Sequence, residues 1–263
     1  MAVTGSTDVG RLALSTGSHH LKHMTLELGG KTPMIVCDDA NVSLAVETAI
    51  KGMSLGAQGH SCSSTSRVLI HESLHDEFVE QLAERFAQIQ VGDPFNDDTQ
   101  MGPISHQAQY DKVLSYIQSG VEQGARLVCG GQPLSGGIFE QGLFLSPAVF
   151  SNVTPAMAIA QEEIYGPVIS VLKWRELSEA IDIANAVDYG LCAVIMTENL
   201  NRAHRIAHAI KAGYVEINGP VSFALGSPFG GVKLSGSGRE GNMEELLSYT
   251  QLKSINIQLG KLD

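Results

Sequence analysis

Val168-Ile169-Ser170-Val171-Leu172-Lys173-Trp174, Cys192-Ala193-Val194-Ile195-Met196 and Tyr214-Val215-Glu216-Ile217 are three short β-prone runs, and Glu176 to Val187 and Arg202 to Lys211 between them read as helices. A strand–helix–strand–helix–strand alternation brings successive strands back in the same direction, which predicts an open, mostly parallel α/β sheet with helices on both faces. The rhythm continues toward the N-terminus. Phe78, Leu82 and Phe86 form an apolar stripe on a helix that stops near Val91-Gly92-Asp93-Pro94. Tyr110, Val113, Leu114, Ile117 and Val121 mark another, ended by Gly124, and Arg126-Leu127-Val128-Cys129 reads as a buried strand. Val42 to Ile50 reads as a helix with Val46, Ala49 and Ile50 on one face. Val3 to Gly10 looks like a strand leaving through a glycine turn into a helix over 11–18. Near the C-terminus, Lys253 to Leu259 alternates apolar and polar residues and predicts a last strand suited to a sheet edge, of this or another subunit.

Composition narrows the function classes. With 263 residues, 43% hydrophobic and 17% charged, the chain can bury a sizeable core. A formal net charge of −11 argues against nucleic acid or an anionic membrane as partner. No run approaches the ~18 apolar residues of a membrane span, and the first ten residues lack a signal-peptide pattern. Cys37, Cys62, Cys129 and Cys192 are scattered, which suits reduced thiols in a cytoplasmic protein. The histidines form no ligand spacing, so no metal is expected.

Two stretches carry the chemistry: Glu27-Leu28-Gly29-Gly30-Lys31 and Gly59-His60-Ser61-Cys62-Ser63-Ser64-Thr65-Ser66-Arg67. A lone cysteine is most often an inert buried thiol. Ser61, Ser63, Ser64 and Thr65 make a poor apolar core, however, and small neighbours leave a thiol uncovered. Glu27 follows a short β-like run and precedes two glycines; alone it reads as a surface carboxylate before a turn, and near a thiol it could move protons. Two motif-like strings carry no such weight. Gly236-Ser237-Gly238-Arg239-Glu240-Gly241 fits GxGxxG without an apolar strand leading in, and Gly52-Met53-Ser54-Leu55-Gly56 fits GxSxG on the end of a helix instead of a strand.

Both chemical stretches, in this order and at about this spacing, resemble the aldehyde dehydrogenase superfamily. Glu162-Glu163-Ile164-Tyr165-Gly166-Pro167 looks like a third motif of that family, and Asn218 with Ser227-Pro228-Phe229-Gly230-Gly231 and Lys233 a fourth. The resemblance runs from Val3 to about Leu259. It implies that Cys62, five residues before Arg67, is the nucleophile and Glu27 the general base that activates the hydrolytic water. Presence of Glu27 favours a carboxylic acid as product over transfer to coenzyme A. It implies NAD or NADP as cofactor, held by Gly5, Ser6, Gly10, Leu28, Gly29, Glu163 and Tyr165. The glycine turn would bring a helix N-terminus, which favours anions, near the pyrophosphate. Glu163 would bond the nicotinamide ribose and Tyr165 would lie beside the nicotinamide, in place of the commoner phenylalanine. Ser61, Ser63, Phe223 and Phe229 would line the substrate pocket, though both phenylalanines read equally well as core packing. An aliphatic or aromatic aldehyde is the expected substrate, and a homodimer or homotetramer the expected assembly.

The departures shape the rest of the expectation. Family members are about twice this length; most of their dinucleotide-binding domain, with an asparagine that helps hold the oxyanion, precedes the point matched by Val3. The segment from Glu27 to Cys62 is about one residue longer than usual, and Ala57-Gln58-Gly59-His60 is not the usual approach to the cysteine. The expected organisation is a remnant of the cofactor domain over 1–26, a catalytic domain over 27–233, and a C-terminal segment over 234–263 with an oligomerisation strand. Two functions stay open: a C-terminal half of an NAD(P)-dependent aldehyde dehydrogenase, or a redox-inactive folded fragment or subunit that keeps the thiol, the dimer surface and residual esterase chemistry.

Overall fold

A computed structural model describes residues 1–260. In chain order the elements are β1 (Ala2–Thr4), α1 (Thr7–Ser18), β2 (Thr25–Glu27), β3 (Pro33–Val36), α2 (Val42–Gly52), β4 (Arg67–His71), α3 (His75–Ala87), α4 (Gln107–Glu122), β5 (Arg126–Cys129) and β6 (Ala148–Ser151). They continue with α5 (Ala158–Gln161), β7 (Val168–Trp174), α6 (Leu177–Asn185), β8 (Tyr189–Gly190), β9 (Cys192–Met196), α7 (Leu200–Ala209), β10 (Tyr214–Ile217), β11 (Val232–Lys233), β12 (Gly236–Ser237) and α8 (Met243–Ser248).

Seven strands form the main sheet in the order β10-β9-β3-β4-β7-β6-β5. Every pairing is parallel except β5 with β6, as the alternating pattern predicts. Because side chains alternate across a strand, the sheet divides its apolar residues between two cores. Ile35, Leu69, Leu172 and Ile195 face Val113 and Ile117 of α4, Ala180 and Ala184 of α6 and Ile206 of α7. Met34, Val36, Val68, Ile70, Val194 and Met196 face Val46 and Ala49 of α2 and Phe78, Leu82 and Phe86 of α3. Helices therefore cover both faces, which explains why these strands read as continuous apolar runs.

A second, three-stranded sheet has β2 at its centre, parallel to β1 and antiparallel to β12. It ties residues at the two ends of the chain together and places Glu27 at the end of its middle strand.

Several boundaries differ from expectation for local reasons. Helix α1 begins at Thr7 instead of residue 11, because the Ser6 hydroxyl accepts from the Val9 N–H and caps it. Helix α7 starts at Leu200 because Asn199 caps it through the Arg202 N–H, 3.0 Å away. Helix α3 ends at Ala87, before the Val91-Gly92 stop, since Val91 bridges to Met101. One strand expectation needs correction. Strand β5 is half-buried, not buried, because it is the edge of the sheet with one neighbour. Within the single chain the run Lys253 to Leu259 pairs with no strand, and Ile255, Ile257 and Leu259 are exposed, as an edge that takes its hydrogen bonds from elsewhere would be. Residues 261–263 of the predicted C-terminal segment lie outside the described set. Ser54 follows α2 in a left-handed conformation with no strand before it, so the GxSxG string is no hydrolase elbow. Among the described residues no helix is long and apolar enough to cross a membrane.

Candidate active site

The two glycines after Glu27 let two segments meet. A Cβ on Gly30 would lie 2.2 Å from the Cys62 carbonyl oxygen, and one on Gly29 would lie 2.4 Å from Glu163 Oε2. Only hydrogen atoms fit there, so the Glu27–Lys31 segment packs against both the cysteine loop and the Glu163 side chain. The Gly30 N–H donates to Glu163 Oε1 at 3.0 Å.

The result is one cavity of about 280 Å³. Gly5, Ser6, Glu27, Leu28, Gly29, Cys62, Glu163 and Tyr165, all singled out in the sequence, line it together with Thr4, Gln109 and Lys112. The remaining expected residues are not among its lining. Gly10 is buried in α1, where a Cβ would be 2.5 Å from Leu28 Cδ1; it lets the helix sit close to the cavity wall. Ser61 and Ser63 pair through their hydroxyls at 3.1 Å. Phe223 and Phe229 meet edge to face at 4.8 Å, and Phe229 also lies 5.5 Å from Tyr214, forming an aromatic cluster with Phe223 largely exposed.

Electrostatics follow from burial. Glu27 is 4% exposed and, among the described residues, neither carboxylate oxygen has a hydrogen-bond partner. Burial, with the Glu240 carboxylate nearby, pushes its pKa up to about 8, against a smaller opposing pull from Arg239. Burial also pushes the Cys62 thiol up, and the Glu163 charge adds to this; the N–H groups of Cys62 and Ser63 work in the opposite direction. Glu163 itself is raised by burial, while the Gly30 N–H, Lys112 and Lys31 favour its charged form.

Two participants, Gln109 and Lys112, carried no sequence signal, and two more, Lys31 and Arg67, stood in the quoted stretches without an assigned role. Gln109 and Lys112 lie one helical turn apart on α4, a spacing that reads as an ordinary polar helix face. Lys31 is 2% exposed with its Nζ unpartnered, and burial lowers its pKa to about 7. Arg67 is completely buried and donates to the carbonyls of Ile183 (3.1 Å) and Ala184 (3.0 Å), in the last turn of α6, and to Lys31 O. A cation there suits the last turn of a helix: it satisfies the Ala184 carbonyl and adds to the Ala186 N–H, which already donates to the Ile183 carbonyl. Arg67 thus holds β4, α6 and the Glu27–Lys31 segment together below the cysteine.

A profile of the aldehyde dehydrogenase family matches residues 1–255. The chain belongs to the aldehyde dehydrogenase family. Betaine aldehyde dehydrogenases of Brucella anthropi and Brucella melitensis are each 44% identical to it, over all of this chain and 54% of their own length. The chain therefore spans about half the length of the curated relatives it matches. Among solved structures, an NAD+ complex of an aldehyde dehydrogenase from Bacillus cereus superposes with a TM-score of 0.94 at 37% identity, covering 98% of this chain and 52% of that one. Betaine aldehyde dehydrogenase from Staphylococcus aureus in complex with NAD+ gives 0.91 at 35% identity, covering 94% and 49%. The fold brings distant segments to one place: Glu27 from the small sheet, Cys62 from the loop before β4 and Glu163 from the loop before β7. Among the described residues no group of three or more His, Cys, Asp or Glu side chains is placed to hold a metal.

Proposed function

We propose that this chain carries the thiol and carboxylate chemistry of an NAD(P)-dependent oxidation of an aldehyde to a carboxylic acid. The observation that carries the reading is that Cys62, Glu27 and Glu163 open onto one cavity. Cys62, as thiolate, attacks the aldehyde carbon and forms a thiohemiacetal, whose oxyanion can accept from the Cys62 N–H. NAD(P)+, when bound, would supply the hydride acceptor for oxidation of the thiohemiacetal to a thioester on Cys62. Glu27, as carboxylate, takes a proton from the water that releases the acid. A base with a pKa of about 8 is poised near the working pH for that transfer.

The residues present suit the nicotinamide end of the cofactor. Gly5 and Ser6 bring the start of α1, a helix of 12 residues, to the cavity wall, where its N–H groups favour an anion. Glu163 offers Oε2 beside Oε1, whose bond to Gly30 fixes the carboxylate for a ribose hydroxyl. Tyr165 offers a ring face beside it. A cavity of about 280 Å³ holds one ring and sugar, not a whole dinucleotide.

The aromatic cluster of Tyr214, Phe223 and Phe229 suits an aldehyde with an aliphatic, aromatic or methylated-cation end, and betaine aldehyde, from the relatives' names, belongs in the test panel. A homo-oligomer in a reducing, cytoplasmic setting fits four unpaired thiols and an exposed apolar C-terminal run. The test is NADH formation by the purified chain with a panel of aldehydes, with Cys62→Ala as control. Turnover abolished in the variant supports the reading. Absence of turnover, with thiol-dependent ester hydrolysis retained, would favour the redox-inactive alternative, which needs only Cys62 and Glu27.

A further inference from the structure

Two residues before the cysteine stands a histidine that the proposed reaction does not use. The His60 imidazole lies parallel to the Tyr165 ring, with centroids 5.3 Å apart and planes 7° off parallel. That is an offset stack within the usual aromatic contact range. Backbone contacts continue on the same side. Gly59, at φ +71°, approaches so closely that a Cβ would lie 2.5 Å from the Gly166 carbonyl carbon and oxygen. The dipeptides Gly59-His60 and Tyr165-Gly166 therefore meet backbone to backbone and ring to ring.

Tyr165 needs that support. Its φ is +57°, a left-handed conformation that is unfavourable for a residue with a side chain. Such a conformation persists only where surroundings over-determine it. Gln109 holds the backbone, its Nε2 donating to the Tyr165 carbonyl at 2.7 Å and to that of Ile164 at 3.0 Å. The ring itself is 38% exposed and lines the cavity beside Cys62.

We propose that His60 is a positioning residue for Tyr165, backing its ring so that the ring presents one fixed face to the cavity of Cys62. The role of that face toward the nicotinamide rests on the function proposed above. The stack itself does not depend on that function. A competing role as base for the thiol fits the geometry poorly. The imidazole faces Tyr165, and its buried Nε2 has no hydrogen-bond partner among the described residues. Burial, with His106 nearby, disfavours its protonated form. The groups acting on the thiol are Glu163, Glu27 and the N–H groups of Cys62 and Ser63.

The experiment compares wild type, His60→Ala and His60→Phe in the full 263-residue chain. Phenylalanine keeps the stacking face and gives up no bond at Nε2. With ring-labelled tyrosine, the Tyr165 signals (assigned by their loss in Tyr165→Phe) are expected to shift and broaden in His60→Ala and to return in His60→Phe. The pH midpoint of Cys62 alkylation by iodoacetamide is expected to stay the same in all three. The KM for NAD+ is expected to rise about tenfold in His60→Ala, with little change in kcat, and to recover in His60→Phe. Unmoved Tyr165 signals in His60→Ala would overturn the proposal. So would an alkylation midpoint that rises in both variants, which would make His60 the thiol's base. Absence of NADH from wild type would count against the proposed function alone, and the tyrosine signals would then decide the role of His60.

Discussion

Glu27 is buried, lacks a hydrogen-bond partner for either oxygen among the described residues and has a pKa of about 8 against an ordinary 4.5. Folding therefore favours its protonated form. Its contribution to stability is complete below pH 4.5 and is lost as pH rises toward 8. Glu27→Gln is expected to flatten that part of a thermal-melt pH profile and to stabilise the chain relative to wild type as pH rises toward 8, because the amide does not titrate and avoids the penalty of ionising a buried carboxyl, about 1.4 kcal/mol per pH unit over that range. The same variant should remove the hydrolytic step, with a covalent acyl-cysteine accumulating by mass spectrometry. Glu163 acts on the thiol with the opposite sign to a cation. Glu163→Gln should lower the Cys62 pKa and speed its alkylation a few-fold at pH 7.5, a change in rate that a purely structural loss would not produce. At this scale Cys62, Glu27, Glu163 and Tyr165 were legible, because each sits in a short motif whose residues are adjacent in sequence. Gln109 and Lys112 were not, because the opposing cavity wall, not their own segment, makes their helix face a site.

Element positions depend on a few close approaches. Gly30→Ala would force a methyl group onto the Cys62 carbonyl, 2.2 Å from the new Cβ. Overpacking of this kind costs about 1–3 kcal/mol, so a lowered melting temperature and an altered Cys62 alkylation rate should appear together. Arg67→Met should leave the Ala184 carbonyl without its donor, and the Ile183 carbonyl with the Ala186 N–H alone, and cost on the order of 3 kcal/mol, read by denaturant unfolding. The arginine that marks the cysteine motif thus acts, in this fold, as a cap for a helix far along the chain. Element types were legible from period and run length, and the misplaced helix starts were the capped ones, where Ser6 and Asn199 set the first turn.

For the whole molecule, the exposed C-terminal run is the open surface. Leu252, Ile255, Ile257 and Leu259 are all largely exposed and make no strand. An apolar run of this kind marks an interface or an aggregation-prone edge. Deletion from residue 252 onward is expected to leave the melting temperature of the monomeric unit unchanged and to abolish self-association measured by light scattering. A wild-type chain that stays monomeric at tens of micromolar would refute the oligomer proposed here.

The sequence by itself determined the alternation of strands and helices, the family and the two short stretches in which the candidate thiol and carboxylate stand, because period, propensity and short motifs are properties of neighbouring residues. Only the tertiary structure decided that the Glu27 carboxyl lies unpartnered, that Arg67 caps α6, that Gln109 and Lys112 join the cavity, that His60 backs Tyr165 and that the last β-prone run stays unpaired. Each depends on residues far apart in the chain: burial, cavity walls and strand partners arise when segments meet.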